Sequence, residues 1–308
     1  MAKIYVVGHK NPDNDSIMAA YTYAHLKDLL DPDNEYLPVR LGPLPAESEM
    51  LFNEYGLEAP ALIESVGEGD KVILVDHNEL GQAVDGLDKA EIVEIIDHHR
   101  IADVSTASPI VFLNLPLGST TSIIYTLYKR YGIEIEPAIA ACLVSAILTD
   151  TVILKSPTAT AFDEEHVNEL CAILGEEPVA FGMRIFKSRG GDDDVAVEDI
   201  CTRDSKEFNF GGKKVWVAQY ETVDLEGMRG RIPEVADQVA KIQTEGGYDA
   251  ALMLLTDIIV EGSEFIAAGD VAFIEGAFEV DFSDGSVWMP GVLSRKKQVA
   301  AVLVDYAG

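Results

Sequence analysis

GHKNPDNDS, residues 8–16, follows an apolar run at residues 4–7 and precedes a helical pattern. This arrangement predicts a loop at the carboxyl end of a β-strand, which is where open α/β sheets bind their ligands. His9, Asp13 and Asp15 bring one imidazole and two carboxylates into the loop, a set that suits a metal ion. A helix-capping aspartate beside an ordinary loop histidine explains the same residues equally well. The ends of the later strands therefore decide between the two interpretations.

Two further apolar runs end in side chains of the same kind. Asp76 directly follows a continuous apolar run, and His98 and His99 follow another. Such runs are typical of strands buried on both faces of a parallel sheet, and the carboxyl ends of parallel strands meet at one edge. Because capping and packing do not explain this recurrence, we favour a metal site. His77 is expected to point away from it, since neighbouring side chains on an extended chain face opposite sides.

Later in the chain, the most apolar helix, predicted for residues 136–148, is followed by Asp150. A carboxylate at this position is poor as a core residue and good as a ligand, so Asp150 joins the candidate ligands. The next predicted helix, at residues 159–174, carries Asp163 and His166 near its N-terminus, where the helix dipole favours negative charge. We expect these two side chains to lie on a solvated face.

The alternation of strand and helix patterns predicts an α/β protein of two domains. The N-terminal domain, residues 1–188, is expected to contain a mainly parallel sheet flanked by helices. A polar, glycine-rich and acidic stretch at residues 189–195 is the predicted linker, and residues 196–308 are expected to form a smaller mixed-sheet α/β domain. Since no histidine follows His166, metal binding is assigned to the first domain. The elements predicted for the second domain are a hairpin about residues 211–212, a helix at 232–243 and strands at 250–255, 258–267 and 277–282.

Composition narrows the classes of function. The chain of 308 residues carries a formal net charge of −30, which repels nucleic acid and anionic membrane surfaces. Its longest apolar stretch, residues 138–148, is too short to span a bilayer. The three cysteines are widely spaced and odd in number, which is typical of a reducing compartment. We therefore expect a cytoplasmic protein that acts on a small molecule, with no nucleic-acid or membrane partner.

The candidate ligands also limit the metal and the reaction. Four carboxylates and two imidazoles without a thiolate suit manganese, cobalt or magnesium. Because four carboxylates exceed the need of one divalent ion, Asp76 could bridge two ions about 3.5–4 Å apart, as in enzymes of phosphoryl chemistry. A water shared by the ions would become hydroxide near neutral pH and attack phosphorus. Lys206 and the basic stretch at residues 294–298 would clamp an anionic substrate, although surface solubility also explains them.

Taken together, five motifs resemble those of the DHH phosphoesterase superfamily, and within it those of the family II, manganese-dependent inorganic pyrophosphatases. The resemblance covers essentially the whole chain, and any one motif alone is a weak signal. The motifs are GHKNPDND at residues 8–15, VDHNE at 75–79, DHH at 97–99, TDT at 149–151 and SRKKQ at 294–298.

The resemblance implies a complete active site with two Mn²⁺ ions, with Co²⁺ as a substitute and Mg²⁺ entering with the substrate. It further implies that a second domain of the DHHA2 type closes over pyrophosphate, with the active site in the interdomain cleft, and that the N-terminal domains pair in a homodimer. One ion would be held by His9, Asp13, Asp76 and Asp150, and the other by Asp15, Asp76, His98 and Asp150. The residues implied to contact the substrate phosphates and to act in catalysis are His99, Lys206, Arg295 and Lys296.

Two other functions compete with this one. A DHH phosphodiesterase acting on short oligonucleotides or a cyclic dinucleotide would carry a different second domain, with a glycine-rich motif that includes histidine. Residues 196–308 contain no histidine, and the net charge disfavours nucleic acid. A noncatalytic metal-dependent binding protein would have closed coordination, whereas six ligands shared by two ions leave positions for water. Both comparisons favour the hydrolysis of pyrophosphate.

Overall fold

The chain divides into two compact units in the computed structural model, unit 1 from Met1 to Arg189 and unit 2 from Gly190 to Gly308. The structure describes residues 2–190, 192 and 195–307. Part of the linker predicted at residues 189–195, namely residues 191, 193 and 194, therefore lies outside the described residues, as do residues 1 and 308. Each unit has a sheet of its own.

Unit 1 combines six strands with six helices. Strands and helices alternate up to residue 62, as the sequence predicts, but three strands then follow in succession and the last four helices come after them. The strands are β1 Lys3–Lys10, β2 Glu35–Leu41, β3 Ala61–Leu62, β4 Lys71–Val75, β5 Glu91–Asp97 and β6 Val111–Asn114. The helices are α1 Asn14–Leu30, α2 Ala46–Tyr55, α3 Thr120–Tyr131, α4 Pro137–Asp150, α5 Ala161–Leu174 and α6 Pro178–Ser188, with short 3₁₀ turns at Leu80–Gln82 and Leu87–Lys89.

The sheet of unit 1 is parallel throughout, in the order β3-β2-β1-β4-β5-β6. β1 and β4 are neighbours at its centre, and the chain runs outward from them in opposite directions. This reversal leaves a crevice at the carboxyl ends of β1 and β4, where ligands bind in open α/β sheets. The topology therefore confirms the predicted parallel sheet and places His9 and Asp76 at its switch point.

Apolar residues explain why these elements form the core of unit 1. In β4, Val72, Ile73, Leu74 and Val75 are fully buried, as expected for a strand covered on both faces. The 11 residues of α4 from Ile139 to Thr149 are all buried, which confirms the buried apolar helix that the sequence predicts at residues 136–148. Even so, no helix within the described residues is both long enough and apolar enough to cross a membrane.

Unit 2 has a mixed sheet of five strands in the order β11-β10-β9-β8-β7, in which only β8 and β9 pair in parallel. Its strands are β7 Ser205–Phe210, β8 Lys213–Thr222, β9 Ala250–Asp257, β10 Gly262–Gly269 and β11 Val287–Pro290. Its helices are α7 Val197–Thr202, α8 Leu225–Arg229, α9 Ile232–Gly246, α10 Val271–Phe278 and α11 Ala300–Ala307, and a π-helical turn spans Arg295–Val299.

Both faces of the second sheet are covered, because alternate residues of β8 enter different apolar clusters. Trp216 and Ala218 belong to one cluster, whereas Val215 and Val217 belong to the other. The hairpin predicted about residues 211–212 is confirmed, since β7 and β8 meet there. Unit 2 is thus the smaller mixed α/β unit that the sequence predicts.

Two of the strands predicted in unit 2 differ from the structure. The strand predicted at residues 277–282 is wrong, because α10 occupies Val271–Phe278 and the fifth strand lies at Val287–Pro290. Asp270 caps α10 by accepting a hydrogen bond from the Phe273 amide (3.3 Å), so the apolar run is helical from its start. The strand predicted at 258–267 begins later, at Gly262, since the preceding residues form a turn.

Candidate metal centre

Asp76 lies at the centre of the predicted ligands, buried at the end of β4 with 1% of its surface exposed. Its Oδ2 is 3.4 Å from His9 Nε2, and its Oδ1 is 3.4 Å from His98 Nε2. His9 comes from β1 and His98 follows β5, so three neighbouring strands meet at this carboxylate. Each oxygen of one carboxylate therefore faces a different imidazole.

Backbone carbonyls fix the orientation of both histidines. Nδ1 of His9 donates to the carbonyl of Lys10 (2.8 Å), and Nδ1 of His98 donates to the carbonyl of Leu117 (3.0 Å). Because Nδ1 carries the bonded proton, each ring presents Nε2 to the carboxylates. His98 Nε2 is buried without a hydrogen-bond partner among the described residues, as expected of an atom that ligates a metal.

Three groups of side chains bring their ligand atoms within 4.8 Å of one another, and each could hold a metal ion. Two of these groups, the one around His9 and the one that joins Asp15 to His98, together contain all six predicted ligands, with one imidazole and two carboxylates in each. Oxygen and nitrogen donors without a thiolate fit manganese or a similar divalent ion, so the residues present suit the expected metal. The groups are His9 with Asp13 and Asp76, Asp15 with His98 and Asp150, and Asp76 with His98 and His99.

The N-terminus of α3 holds the buried carboxylate of Asp15. Asp15 accepts hydrogen bonds from the backbone amides of Thr120 (2.7 Å) and Thr121 (3.1 Å) and from the hydroxyl of Ser119 (2.8 Å). The Thr120 hydroxyl donates to Asp76 Oδ1 (3.0 Å). The Ser119 hydroxyl also accepts a hydrogen bond from the Thr121 amide and so caps the N-terminus of α3. Ser119 therefore both caps the helix and orients a predicted ligand.

Charges in the cluster shift its pKa values strongly. Burial lowers the pKa of His9, but the carboxylates of Asp13 and Asp76 outweigh it and raise that pKa to about 11. The pKa of His98 rises to about 10 against burial, chiefly because of Asp76. Burial and then the charge of Asp76 raise the pKa of Asp15 to about 7. Without metal the two imidazoles are therefore protonated at neutral pH, and divalent ions must displace these protons to bind.

A buried polar network sets the spacing between α1 and α4. Asn14 donates to the hydroxyl of Ser145 (3.1 Å) and accepts a hydrogen bond from Ser48 (2.9 Å). This network lies between the loop that carries Asp13 and the end of α4, where Asp150 lies. Asp13 also caps α1 by accepting a hydrogen bond from the Ser16 amide (2.9 Å), so the capping role considered for the first loop is present at a predicted ligand.

Left-handed backbone conformations occur at one predicted ligand and shortly after another. Asp76 itself has φ of 61°, and Val152, Ile153 and Leu154, shortly after Asp150, have φ of 49°, 52° and 63°. A left-handed conformation costs roughly 1–2 kcal/mol for each residue with a side chain. Three such residues in succession persist only where the surroundings fix them, and backbone strain of this kind is common at functional sites.

Two family models match this chain, the DHH family N-terminal domain over residues 3–147 and the DHHA2 domain over residues 183–306. A solved structure titled as a putative family II inorganic pyrophosphatase from Methanococcus jannaschii is similar, with 37% identity, a TM-score of 0.59 and 99% of each chain covered. A probable manganese-dependent inorganic pyrophosphatase of Archaeoglobus fulgidus is 43% identical over 97% of both chains. The chain belongs to the family II inorganic pyrophosphatases. The manganese-dependent inorganic pyrophosphatase of Bacillus subtilis, 38% identical over 99% of both chains, agrees with this assignment.

In this family II pyrophosphatase, His99 lies at the exposed side of the centre. Its side chain is 52% exposed, and its Nδ1 donates to Asp97 Oδ1 (2.9 Å). Asp97 is buried and also accepts hydrogen bonds from the His99 amide and from Asn78. Asp97 is not among the predicted site residues, although its place at the end of β5, directly before two histidines, is a usable signal.

Two interpretations of other residues change in the structure. Asp163 and His166 do not lie on a solvated face, because both are buried, with 0% and 3% of their surfaces exposed. Their helix packs this side against α3 and the turn before it: Asp163 accepts a hydrogen bond from Gly118 in the turn, and His166 Nδ1 contacts the Ser122 hydroxyl in α3. His77 is buried with Nδ1 on the Val75 carbonyl (2.9 Å), and it is absent from the three ligand groups, as expected.

Unit 2 of the pyrophosphatase carries the predicted basic residues on one part of its surface. Arg295 donates to the backbone oxygen (2.6 Å) and the carboxylate (2.7 Å) of Asp204, and it also reaches the carbonyl of Val217 (3.4 Å). Val217 is the register partner of Lys206 across β7 and β8. Lys206 and Lys296 are exposed. We call Lys206, Arg295 and Lys296 the basic patch.

Proposed function

We propose that this chain hydrolyses inorganic pyrophosphate to two orthophosphates at the metal centre of unit 1. The observation that carries the proposal is the geometry of Asp76, whose two oxygens each lie 3.4 Å from the Nε2 of a different histidine. A carboxylate placed in this way suits two ions that share it. The names of the relatives at about 40% identity support the same substrate and the same metal.

The six ligands divide between two manganese ions in this proposal. One ion takes His9, Asp13 and Asp76, and the other takes Asp15, His98 and Asp150, with Asp76 and Asp150 serving both. When bound, the two ions would activate water as the nucleophile and neutralise charge on the phosphates. Co²⁺ is proposed as a substitute and Mg²⁺ as an ion that arrives with pyrophosphate.

The other residues bind and orient the substrate. Asp97 holds Nδ1 of His99, and this hydrogen bond raises the pKa of His99 despite partial burial. When the ring is protonated, its Nε2 can donate a hydrogen bond to a phosphate oxygen. The basic patch of unit 2 would hold the phosphates, with the two lysines as point charges and with Arg295 as a planar fork once its contact with Asp204 is released. Residues 1–188 would thus bind metal and residues 196–308 substrate, joined by the linker at 189–195.

The proposed setting is a homodimer in the cytoplasm. The three cysteines are buried and unpaired, which agrees with a reducing compartment. β6 is an edge strand of the sheet in unit 1, and its Val111 and Phe112 are 55% and 42% exposed. Apolar edge strands are ready to pair with another chain, so we place the homodimer contact at β6. The net charge of −30 disfavours nucleic acid and anionic membranes as partners.

The proposed reaction is tested by removing the metals with a chelator and restoring manganese or magnesium separately. Orthophosphate release is then measured from pyrophosphate and, beside it, product release from a linear dinucleotide with one phosphodiester bond. We expect phosphate release from pyrophosphate that depends on manganese, and none from the dinucleotide. Hydrolysis of the dinucleotide without hydrolysis of pyrophosphate would overturn the assignment, and so would tight manganese binding without hydrolysis of either compound.

A further inference from the structure

One peptide group, between Leu117 and Gly118, is held on both sides by buried groups. Its carbonyl, from Leu117, accepts the hydrogen bond of His98 Nδ1 (3.0 Å). Its amide, from Gly118, donates to Asp163 Oδ2 (2.9 Å). Asp163 in α5 is therefore connected through a single peptide plane to a predicted metal ligand.

Capping of α5 does not by itself explain Asp163. Thr160 and Asp163 form a capping box, in which the Thr160 amide (2.8 Å) and hydroxyl (2.6 Å) donate to Oδ2. Glutamate serves this role as well as or better than aspartate in such boxes. Here the side chain is fully buried, and its Oδ1 has no hydrogen-bond partner among the described residues. Burying a carboxylate in this way is costly, which suggests a use beyond the cap.

The turn that Asp163 contacts is packed without spare room. A Cβ added at Gly118 would lie 2.4 Å from Cγ2 of Thr151 and 2.9 Å from Asp163 Oδ2. Thr151 directly follows Asp150, so the turn lies between α5 and the end of the helix that carries this ligand. Only a glycine allows the close approach, and the turn cannot shift toward Asp163 or Thr151.

We propose that Asp163 is a positioning residue of the metal centre, which orients His98 through the 117–118 peptide group and places the N-terminus of α3 against Asp15. A peptide whose amide donates to a carboxylate becomes a stronger acceptor at its carbonyl, since linked hydrogen bonds polarise one another. The carbonyl then keeps Nδ1 of His98 protonated and turns Nε2 toward the ligand group. This is the carboxylate–histidine support common at metal sites, with a peptide group inserted between the two side chains.

The support serves one ion more than the other. His98 and Asp15 share a ligand group with Asp150, and both contact the turn at residues 117–121. His9, in the other group, takes its orientation from the carbonyl of Lys10 instead. Loss of Asp163 should therefore weaken the binding of the ion held by His98 and leave the binding of the ion held by His9 unchanged. The inference rests on the proposed two-metal centre.

Manganese titration of the full-length metal-free protein tests this directly. In wild type we expect two Mn²⁺ ions by calorimetry and the exchange-coupled spectrum of a manganese pair by electron paramagnetic resonance. In Asp163→Ala we expect the dissociation constant of one ion to rise about 10- to 100-fold, with the other unchanged. When two manganese ions are supplied per protein chain, the exchange-coupled spectrum of this variant should be largely lost.

Three variants separate positioning from mere stability. Thr160→Ala removes the other half of the capping box and leaves the Gly118 contact, so it should lower the melting temperature while both ions bind as in wild type. Asp163→Asn keeps an acceptor oxygen for Gly118 and should recover much of the lost affinity. Should Asp163→Ala fail to fold, Asp163→Glu replaces it, because glutamate retains the cap but displaces the oxygen from Gly118.

The possible outcomes are distinct. The inference is overturned if Asp163→Ala, or Asp163→Glu in its place, binds both ions as tightly as wild type. It is equally overturned if that variant loses both ions together, or if Thr160→Ala weakens the same ion to the same extent. Failure of the proposed function looks different, since wild type itself would then bind fewer than two ions or release no phosphate from pyrophosphate.

Discussion

At the scale of single residues, Asp76 is the side chain at which the two proposed halves of the metal centre meet. It is buried, its backbone is left-handed, and its oxygens face His9 and His98. The two histidines hold its pKa well below the ordinary value although burial opposes this. The carboxylate is therefore ionised across the physiological range and available as a ligand with both oxygens.

Replacement of this carboxylate should remove the metals as well as the activity. For Asp76→Asn we expect loss of both manganese ions and no measurable hydrolysis, because the amide supplies one neutral oxygen in place of a shared anion. For Lys296→Ala, in the basic patch, we expect both ions to remain while kcat/KM falls about 10²- to 10³-fold. Metal content of the purified proteins and phosphate release are the measurements. Equal metal loss in the two variants would contradict this division of roles.

The sequence is informative about ligands and silent about the groups that orient them. Asp76, His98 and His99 could be predicted because they lie within two residues of the end of an apolar strand, and strand ends meet at one edge. The hydrogen bond from Thr120 to Asp76 and the contact of Asp163 with Gly118 each join residues more than 40 positions apart. No local pattern reveals such pairs. The acidic start of α5 looks like a solvated helix end until the fold shows what covers it.

At the scale of elements, α3 and α5 pack around His166, which lies between them. Its Nδ1 is 2.8 Å from the Ser122 hydroxyl, and its ring packs edge-on against Tyr125. Burial, and then the positive charge of Lys129, lower the pKa of His166 below its ordinary value. The folded protein therefore favours the neutral ring at this position.

This lowered pKa predicts acid sensitivity. Above pH of about 6.5 His166 is neutral in both states and has no effect on the pH dependence. Below this pH the unfolded chain takes up a proton that the folded chain resists. The free energy of unfolding therefore decreases as the pH is lowered, by at most about 1.4 kcal/mol per pH unit from this residue. His166→Gln should show a shallower fall than wild type between pH 7 and 5.5 in urea unfolding of the metal-free proteins. If the free energy of unfolding falls equally steeply with decreasing pH in the two proteins, His166 is not the source of the acid sensitivity.

Element bounds followed from the sequence where one pattern dominated. The sequence pattern predicts a helix at residues 46–55 and a strand at 71–75, and α2 and β4 have these bounds, since each is a single amphipathic or apolar run. The apolar run near residues 271–282 was ambiguous, because short runs of this kind fit a strand or a buried helix. The Asp270 cap decided for the helix, and a cap is recognisable only once its amide partner is known.

At the scale of the whole molecule, the two edges of the sheet in unit 1 differ in ways that predict assembly. β3, at one edge, has only two residues, whereas β6, at the other, has four and exposes Val111 and Phe112. Short edge strands discourage pairing and apolar ones favour it. Both edges nevertheless carry an exposed large apolar side chain, since Leu62 of β3 is 56% exposed.

A charge on β6 should separate the proposed dimer. For Phe112→Lys we expect the mass of a monomer by light scattering coupled to size-exclusion chromatography, because a lysine on an edge strand opposes strand pairing. Leu62→Lys is the matched control at the opposite edge and should leave the wild-type mass unchanged. A dimer that survives Phe112→Lys but dissociates in Leu62→Lys would place the contact at the other edge.

The distribution of ligands along the chain has a consequence for biosynthesis. His9 is the first of the six predicted ligands and Asp150 the last, and all six strands of the sheet precede Asp150. On the ribosome, the sheet can therefore be complete while one ligand group still lacks its final member. Since domains generally fold as units from the N-terminus during translation, manganese would be captured in full only after α4 has emerged. Metal loading can then begin while α5 and α6, the last helices of the first unit, and the whole second unit are still to be synthesised.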